Sequence, residues 1–228
     1  MWSFINLITM AGAPCLLCRT PTDSAAGFCA GCLADIPLTG RDCLHCGMPQ
    51  LSPGSCPCSP AEWPFAAVLS AAYYAFPVDH LIHRFKETPC HEHARPLAWL
   101  LAARVRRHEG PRPQLLLPVP AAEDRLKRRG FDQALELARE TGRLLGIPVR
   151  IDAFNRQSGL PAQKGLNAAR RETNIRQAFT AGNLCELPAH VALVDDVLTT
   201  GATVRHLGGL LQQAGVEKVE VWTLARTL

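Results

Sequence analysis

The stretch Val191–Thr203, VALVDDVLTTGAT, decides the fold. Its first four residues, Val191 to Val194, read as a buried strand, because an unbroken aliphatic run suits a strand covered on both faces. Asp195 and Asp196 follow where that strand is expected to end, and Thr199, Thr200, Gly201 and Thr203 then form a small hydroxyl-rich turn opening a helix. Each part has its own chemistry. Two adjacent carboxylates accept hydrogen bonds from neighbouring ribose hydroxyls, while a helix N-terminus offers N–H groups and the positive end of its dipole to a phosphate. Gly201 permits close backbone approach. Diol binding beside phosphate binding fits a ribose 5-phosphate. Taken singly, two acids can close any strand and a TTG turn can cap any helix; here four apolar residues, two acids and the hydroxyl cluster coincide.

Outward from this stretch, the apolar runs Ala66–Ala75, Leu115–Val119 and Val219–Leu224 read as further strands. Helical patterns occupy Val78–Phe85, Ala94–Arg107, Phe131–Leu145 and Ala202–Ala214, with Gly146 and Gly215 as C-terminal stops. The alternation predicts an α/β fold with a doubly wound, mostly parallel sheet, whose ligands bind at the C-terminal ends of the strands. Pro118 and Pro120 end ladder pairing after the Leu115 strand. The segment AAEDRLKRRGFDQ that follows brings Arg125, Lys127, Arg128 and Arg129 beside the expected cleft. Forked guanidinium donors suit a polyanion such as pyrophosphate; a solvated basic helix start is the plainer reading of any one of them. From Arg84 to Arg129 eleven Lys or Arg stand against five Asp or Glu, a local basic surface suited to phosphates of a small ligand or of nucleic acid.

Upstream, the chain changes character. Eight of the ten cysteines fall between Cys15 and Cys58, as Cys15-x2-Cys18, Cys29-x2-Cys32, Cys43-x2-Cys46 and Cys56-x-Cys58. A two-residue gap lets a tight turn aim two thiolates at one ion, and two such turns complete a tetrahedral shell. Eight thiolates make two structural zinc sites, in sequence order Cys15, Cys18, Cys29, Cys32 and Cys43, Cys46, Cys56, Cys58; interleaved pairing and a disulfide scaffold also satisfy the spacing. Full thiolate shells leave no open position for substrate, so chemistry belongs elsewhere. Residues 1–60 are read as a double zinc ribbon and 61–228 as the α/β domain. Cys90, His91 and His93 could form a third metal site or merely a polar loop before the next helix.

Composition excludes whole classes. With 47% hydrophobic and 19% charged residues and a mean hydropathy of +0.02, the chain is neither disordered nor collagen-like. No apolar run is long enough to cross a bilayer, and no Lys or Arg precedes Arg19 to make the basic start of a signal peptide. A cytoplasmic protein without membrane insertion is expected.

The thirteen residues from Val191 resemble the phosphoribosyl pyrophosphate signature of type I phosphoribosyltransferases. The order of a double zinc ribbon, LIHRFK, LPVP followed by RRGFDQALELA, a segment carrying Gln163, Leu166, Arg171, Asn174, Ala178 and Phe179, and finally VDDVLTTGAT resembles the competence protein F family over nearly the whole length. The resemblance implies a type I phosphoribosyltransferase-like domain that binds phosphoribosyl pyrophosphate with Mg²⁺ and displaces pyrophosphate from carbon 1 of the ribose. Asp195 and Asp196 would anchor the ring as catalytic and substrate-binding residues, and Thr199, Thr200, Gly201 and Thr203 would hold the 5-phosphate. Arg128 and Arg129 would contact pyrophosphate, and Gln163 and Arg171 would lie on a segment closing over the ligand. No general acid or base stands out among His83, His91, His93, His190 and His206. Two departures are visible: Asp132 where the family usually has Asn, and the shortened Cys56-x-Cys58 gap. A role in DNA uptake is implied, either as an active transferase or as a non-catalytic ligand-binding or scaffold module with a helicase-like partner. Single-stranded DNA binding is permitted by zinc ribbons and basic charge, although aromatics make up only 6% of residues and none interleave with the arginines as a stacking platform.

Overall fold

The computed structural model describes residues 12–50, 52, 54–87, 91–157 and 174–228. The Cys-rich part begins with a two-stranded antiparallel pair, β1 (Ala13–Pro14) and β2 (Pro21–Thr22), and a short helix, α1 (Ala30–Ala34). Then come β3 (Ala67–Tyr73), α2 (Val78–Glu87), α3 (His91–Arg106), β4 (Leu115–Pro118), α4 (Glu123–Arg129) and α5 (Gln133–Leu145). An antiparallel hairpin of β5 (Phe154–Arg156) and β6 (Phe179–Ala181) precedes β7 (His190–Leu198), α6 (Ala202–Gln213) and β8 (Lys218–Arg226). The main sheet has the order β3-β8-β7-β4, every neighbouring pair parallel.

Side chains alternate across a strand, and here both faces are apolar. Leu69, Leu116, Val194 and Trp222 face α2, α3 and α5 through Ile82, Phe85, Leu101 and Leu137. Val68, Leu117, Leu193 and Val221 face α6 and the β5–β6 hairpin through Leu207, Leu211, Phe154 and Phe179. This is the doubly wound arrangement expected, preceded by the Cys-rich ribbons. Those ribbons are part of both layers: Cys15, Leu16 and Phe28 lie in the first cluster, Cys43 and Cys46 in the second. Polar ties reinforce the packing. Tyr73 Oη donates to Asp42 Oδ1 at 2.6 Å, Arg104 Nε donates to Thr39 Oγ1 at 3.2 Å, and Leu38 bridges Ala72 on the outer edge of β3.

One element differs from expectation. The strand beginning near Val191 does not stop at Val194; β7 runs on through Asp195 and Asp196 because β8 supplies a longer ladder, pairing Asp195 with Thr223 and Leu198 with Arg226. The basic segment after Pro120 forms a helix of its own, in keeping with the plainer reading of its arginines as a solvated basic helix start. In α4, Glu123 and Asp124 occupy the first turn and Lys127, Arg128 and Arg129 the last, the charge order that complements the helix dipole. Asp132 caps α5: Oδ1 accepts from Leu135 N at 3.1 Å and Oδ2 from Ala121 N at 2.8 Å. Its departure from the family's Asn is therefore matched by two donors, which suit a carboxylate. Among the described residues no helix is long and apolar enough to cross a membrane.

Candidate functional site

A cleft of about 210 Å³ opens at the C-terminal ends of β4 and β7, between α2, α4, α5 and the β5–β6 hairpin. Asp195, Asp196 and Asp132 give it acidic groups, and Lys86, Arg125, Arg129 and Arg156 line it with cations. Opposed charges define its two sides. Asp195 Oδ1 accepts from Asp196 N at 2.8 Å, and Lys86 Nζ lies 2.6 Å from Asp196 Oδ2. Burial, reinforced by the neighbouring Asp196 charge, pushes the Asp195 carboxyl well above the usual carboxylate range. Such a group is held at a cost that a ligand rich in hydroxyl donors or a cation offsets.

The cationic side carries a strain of its own. Burial lowers the pKa of the Arg129 guanidinium, and the charges of Arg125 and Arg128 act in the same direction, so an entering polyanion relieves mutual repulsion. Arg156 donates to the Pro120 carbonyl at 3.1 Å and stacks 4.6 Å from the centre of the Phe179 ring, which fixes its direction. Gln133 is 5% exposed; its Oε1 accepts from Arg129 Nη1 at 2.9 Å, while its Nε2 has no hydrogen-bond partner among the described residues. A buried, unfilled donor lining a cleft waits for an acceptor.

Beyond the cleft, β7 leads into the turn before α6. Thr199 and Thr200 are exposed, Gly201 has φ +75° at the N-cap of α6, and no side chain caps that end. A Cβ on Gly201 would come within 2.2 Å of the Trp63 ring. The close approach foreseen for this glycine is therefore made by Trp63 on one side of the turn.

The cysteines gather in two clusters, Cys15, Cys18, Cys29, Cys32 and Cys43, Cys46, Cys56, Cys58, with all ligand atoms of each within 4.8 Å of one another. This is the sequential grouping, and the shorter Cys56-x-Cys58 gap still closes its set. Sγ separations of 3.7 Å for Cys18–Cys29, 3.5 Å for Cys43–Cys58 and 3.3 Å for Cys46–Cys56 exceed a disulfide and approach the roughly 3.8 Å edge of a tetrahedron with Zn–S near 2.3 Å. The Cys15 sulfur also accepts from Cys29 N at 3.3 Å, as metal knuckles do. The Thr20 hydroxyl and backbone hold Cys18 down at about 6, whereas burial and neighbouring thiols push Cys32 up to about 12. Four thiolates so unequal need a cation to ionise together, and both clusters could hold zinc.

The chain is 35% identical over 223 residues to "Competence protein F" of Haemophilus influenzae, covering 93% of this chain and 96% of that one. The chain belongs to the competence protein F family. "DNA utilization protein YhgH" of Escherichia coli K12 is 34% identical over 234 residues, covering 97% of this chain and 100% of that one. A solved glutamine phosphoribosylpyrophosphate amidotransferase of B. subtilis aligns with 56% of this chain and 25% of its own, at 21% identity and a TM-score of 0.38. No family model matches the chain.

Of the residues that the competence protein F resemblance singles out, Asp195, Asp196, Thr203 and Arg129 meet in the cleft. Thr199, Thr200 and Gly201 stand just beyond it, and Arg128 is exposed on α4 away from the lining. Gln163 and Arg171 lie outside the described residues, as does Cys90 of the possible third metal site. His83 pairs with Glu87 at 3.2 Å, His190 with Glu220 at 2.9 Å, and His206 Nε2 meets the Phe179 carbonyl at 2.9 Å. Neither these nor His93 line the cleft. Lys86 and Arg156 were not foreseen as site residues, and Gln133 only as part of the RRGFDQALELA stretch. Lys86 borders the apolar stripe of α2 set by Ile82 and Phe85, a weak signal; Arg156 sits in a three-residue strand with no pattern.

Proposed function

We propose that this chain is a phosphoribosyltransferase-like protein whose cleft binds phosphoribosyl pyrophosphate together with Mg²⁺. One observation carries the reading: two adjacent carboxylates near the C-terminal end of a parallel strand, one of them paired with Lys86, share a cleft with Arg125, Arg129 and Arg156, beside a helix N-terminus that no described side chain caps. The carboxylates of Asp195 and Asp196 accept from the ribose diol, and the amides of the Thr199–Thr203 turn donate to the 5-phosphate. Arg125, Arg129 and Gln133 hold the diphosphate through charged donors. Asp132, Asp195 and Asp196 are hard oxygen donors that would hold Mg²⁺, which when bound would neutralise charge on the diphosphate.

In the transfer, the bond from carbon 1 to the diphosphate oxygen breaks with its electron pair leaving on pyrophosphate. A nitrogen nucleophile bonds carbon 1 and loses its proton to water. The protein's contribution is positioning and charge stabilisation. Both Cys clusters hold structural zinc, which suits a reducing cytoplasm.

A second reading rests on the relatives' names, which speak of competence and DNA utilization: a module of DNA uptake that binds the ligand, or single-stranded DNA and a helicase-like partner, without turnover. Isothermal titration of phosphoribosyl pyrophosphate with Mg²⁺ tests the cleft; binding that survives both Asp195→Ala and Asp196→Ala overturns it. Pyrophosphate release against a panel of bases and amines separates enzyme from module. A gel shift with single-stranded DNA that stays flat at low salt removes direct DNA binding.

A further inference from the structure

Arg226, the last residue of β8, is 6% exposed, and the groups it meets by hydrogen bonding are carbonyls and one hydroxyl rather than a carboxylate. A guanidinium is buried only where its donors are filled. Its Nε donates to the Cys46 carbonyl at 3.0 Å, while Nη1 donates to the Leu198 carbonyl at 3.1 Å, the Thr199 carbonyl and the Thr227 carbonyl at 2.8 Å. One planar group thus joins a backbone carbonyl of the second Cys cluster to the last residue of β7 and the first of the hydroxyl-rich turn.

A second contact runs parallel to it. Trp63, just past Cys58 and tied back by its N–H to the Ser59 carbonyl at 3.2 Å, lays its ring against Gly201, where any Cβ would clash. Arg205 and Arg226 flank that ring at 5.0 and 5.9 Å from its centre. On the cluster side, Gly47 has φ +70°, and a Cβ there would meet Val68 at 3.0 Å and Arg226 at 3.6 Å. The knuckle therefore rests directly on the arginine that holds the turn.

We infer that Cys43, Cys46, Cys56 and Cys58 serve the cleft as a strut, with Arg226 as the positioning residue that sets the Thr199–Thr203 turn for phosphate. This rests on the reading of that turn as the 5-phosphate site. A metal ion bound by the four thiolates fixes the Cys46 carbonyl, Arg226 carries that position to Leu198 and Thr199, and Trp63 limits the travel of Gly201.

The test compares wild-type protein with Arg226→Met and Arg226→Lys by zinc content, amide hydrogen exchange of residues 199–203, and titration with ribose 5-phosphate and with pyrophosphate. Both variants are expected to keep both zinc ions and to exchange the turn amides faster. Ribose 5-phosphate should bind at least about tenfold more weakly, the loss of about 1.4 kcal/mol or more of orientation, with pyrophosphate affinity unchanged, since its contacts lie on α4 and α5. Lysine should not rescue, because one ammonium cannot span both carbonyl groups. Equal weakening of the two ligands, or unchanged exchange and affinity, overturns the strut. If Arg226→Met does not fold, Cys58→Ser in the full chain must give the same selective loss, and a variant that binds ribose 5-phosphate normally overturns the inference. Wild-type protein that fails to bind ribose 5-phosphate overturns the phosphate reading itself, a distinct outcome.

Discussion

Asp195 is the residue at which function and stability oppose each other. Its ordinary carboxyl value is 3.8, and burial together with Asp196 raises it in the folded chain. The folded state then holds a proton that the unfolded chain has released, so the contribution is fully present below about 3.8 and is lost as pH rises from there to the raised folded value. Asp195→Asn removes that dependence. At neutral pH its melting temperature is expected to rise by about 2–4 °C, corresponding to ~1 kcal/mol in a chain of this size, while phosphoribosyl pyrophosphate binding is lost; melts over a pH series and titration check both. Gln133 makes the converse case. Its unfilled Nε2 costs stability in the empty cleft while its Oε1 accepts from Arg129, so Gln133→Leu relieves one cost and forfeits one charged hydrogen bond; urea stability should change by no more than about 1 kcal/mol, yet pyrophosphate should bind roughly 10- to 100-fold more weakly. The two acids were legible because they adjoin a strand and a hydroxyl turn in one stretch. Gln133, Lys86 and Arg156 were not, because they converge from α5, α2 and β5, and only the tertiary fold makes them neighbours.

At the scale of elements, the sequence located the main strands and helices, misjudged where β7 ends and left α4 as one of two readings. The end of β7 is decided by β8: Val219 to Ala225 are all buried, and their ladder carries Asp195 and Asp196 along as strand residues, although nothing local marks them so. The α4 helix was legible only as the plainer reading of its arginines, a solvated basic helix start, because seven residues are too few for an apolar periodicity; its charge order along the dipole is the remaining clue. What fixes this region is Asp132, whose carboxylate ties the start of α5 to Ala121 ahead of α4. Asp132→Ala removes both acceptors and should cost about 1–2 kcal/mol, the range for loss of an N-cap, measured by urea unfolding. Asp132→Asn retains one acceptor oxygen and should recover roughly half. A full loss in the Asn variant would show that the charge near the dipole, and not the acceptor geometry, is what matters.

For the molecule as a whole, a net charge of +4 says little, whereas the placement of the cysteines says much. Packing crosses residue 60 on both faces of the sheet: Phe28 and Cys15 share a cluster with α3, and Cys43 and Cys46 share one with β7 and β8. The outer edge of β3 is covered by residues 38–39, and Asp42 receives the Tyr73 hydroxyl, so the ribbons shield the edge of the sheet that would otherwise stand open. Removing the metal should therefore reach the sheet. At free zinc 1,000-fold above its dissociation constant, each site adds about 4 kcal/mol to the folded state, roughly 8–16 °C at this chain length. Chelation is expected to lower the melting of the entire chain in one transition, with the fluorescence of Trp222, buried in the sheet, moving together with the loss of zinc–thiolate absorbance. A sheet that keeps its melting temperature while the ribbons lose metal would mean that the contacts of Phe28, Cys46 and Asp42 follow the sheet's stability without adding to it.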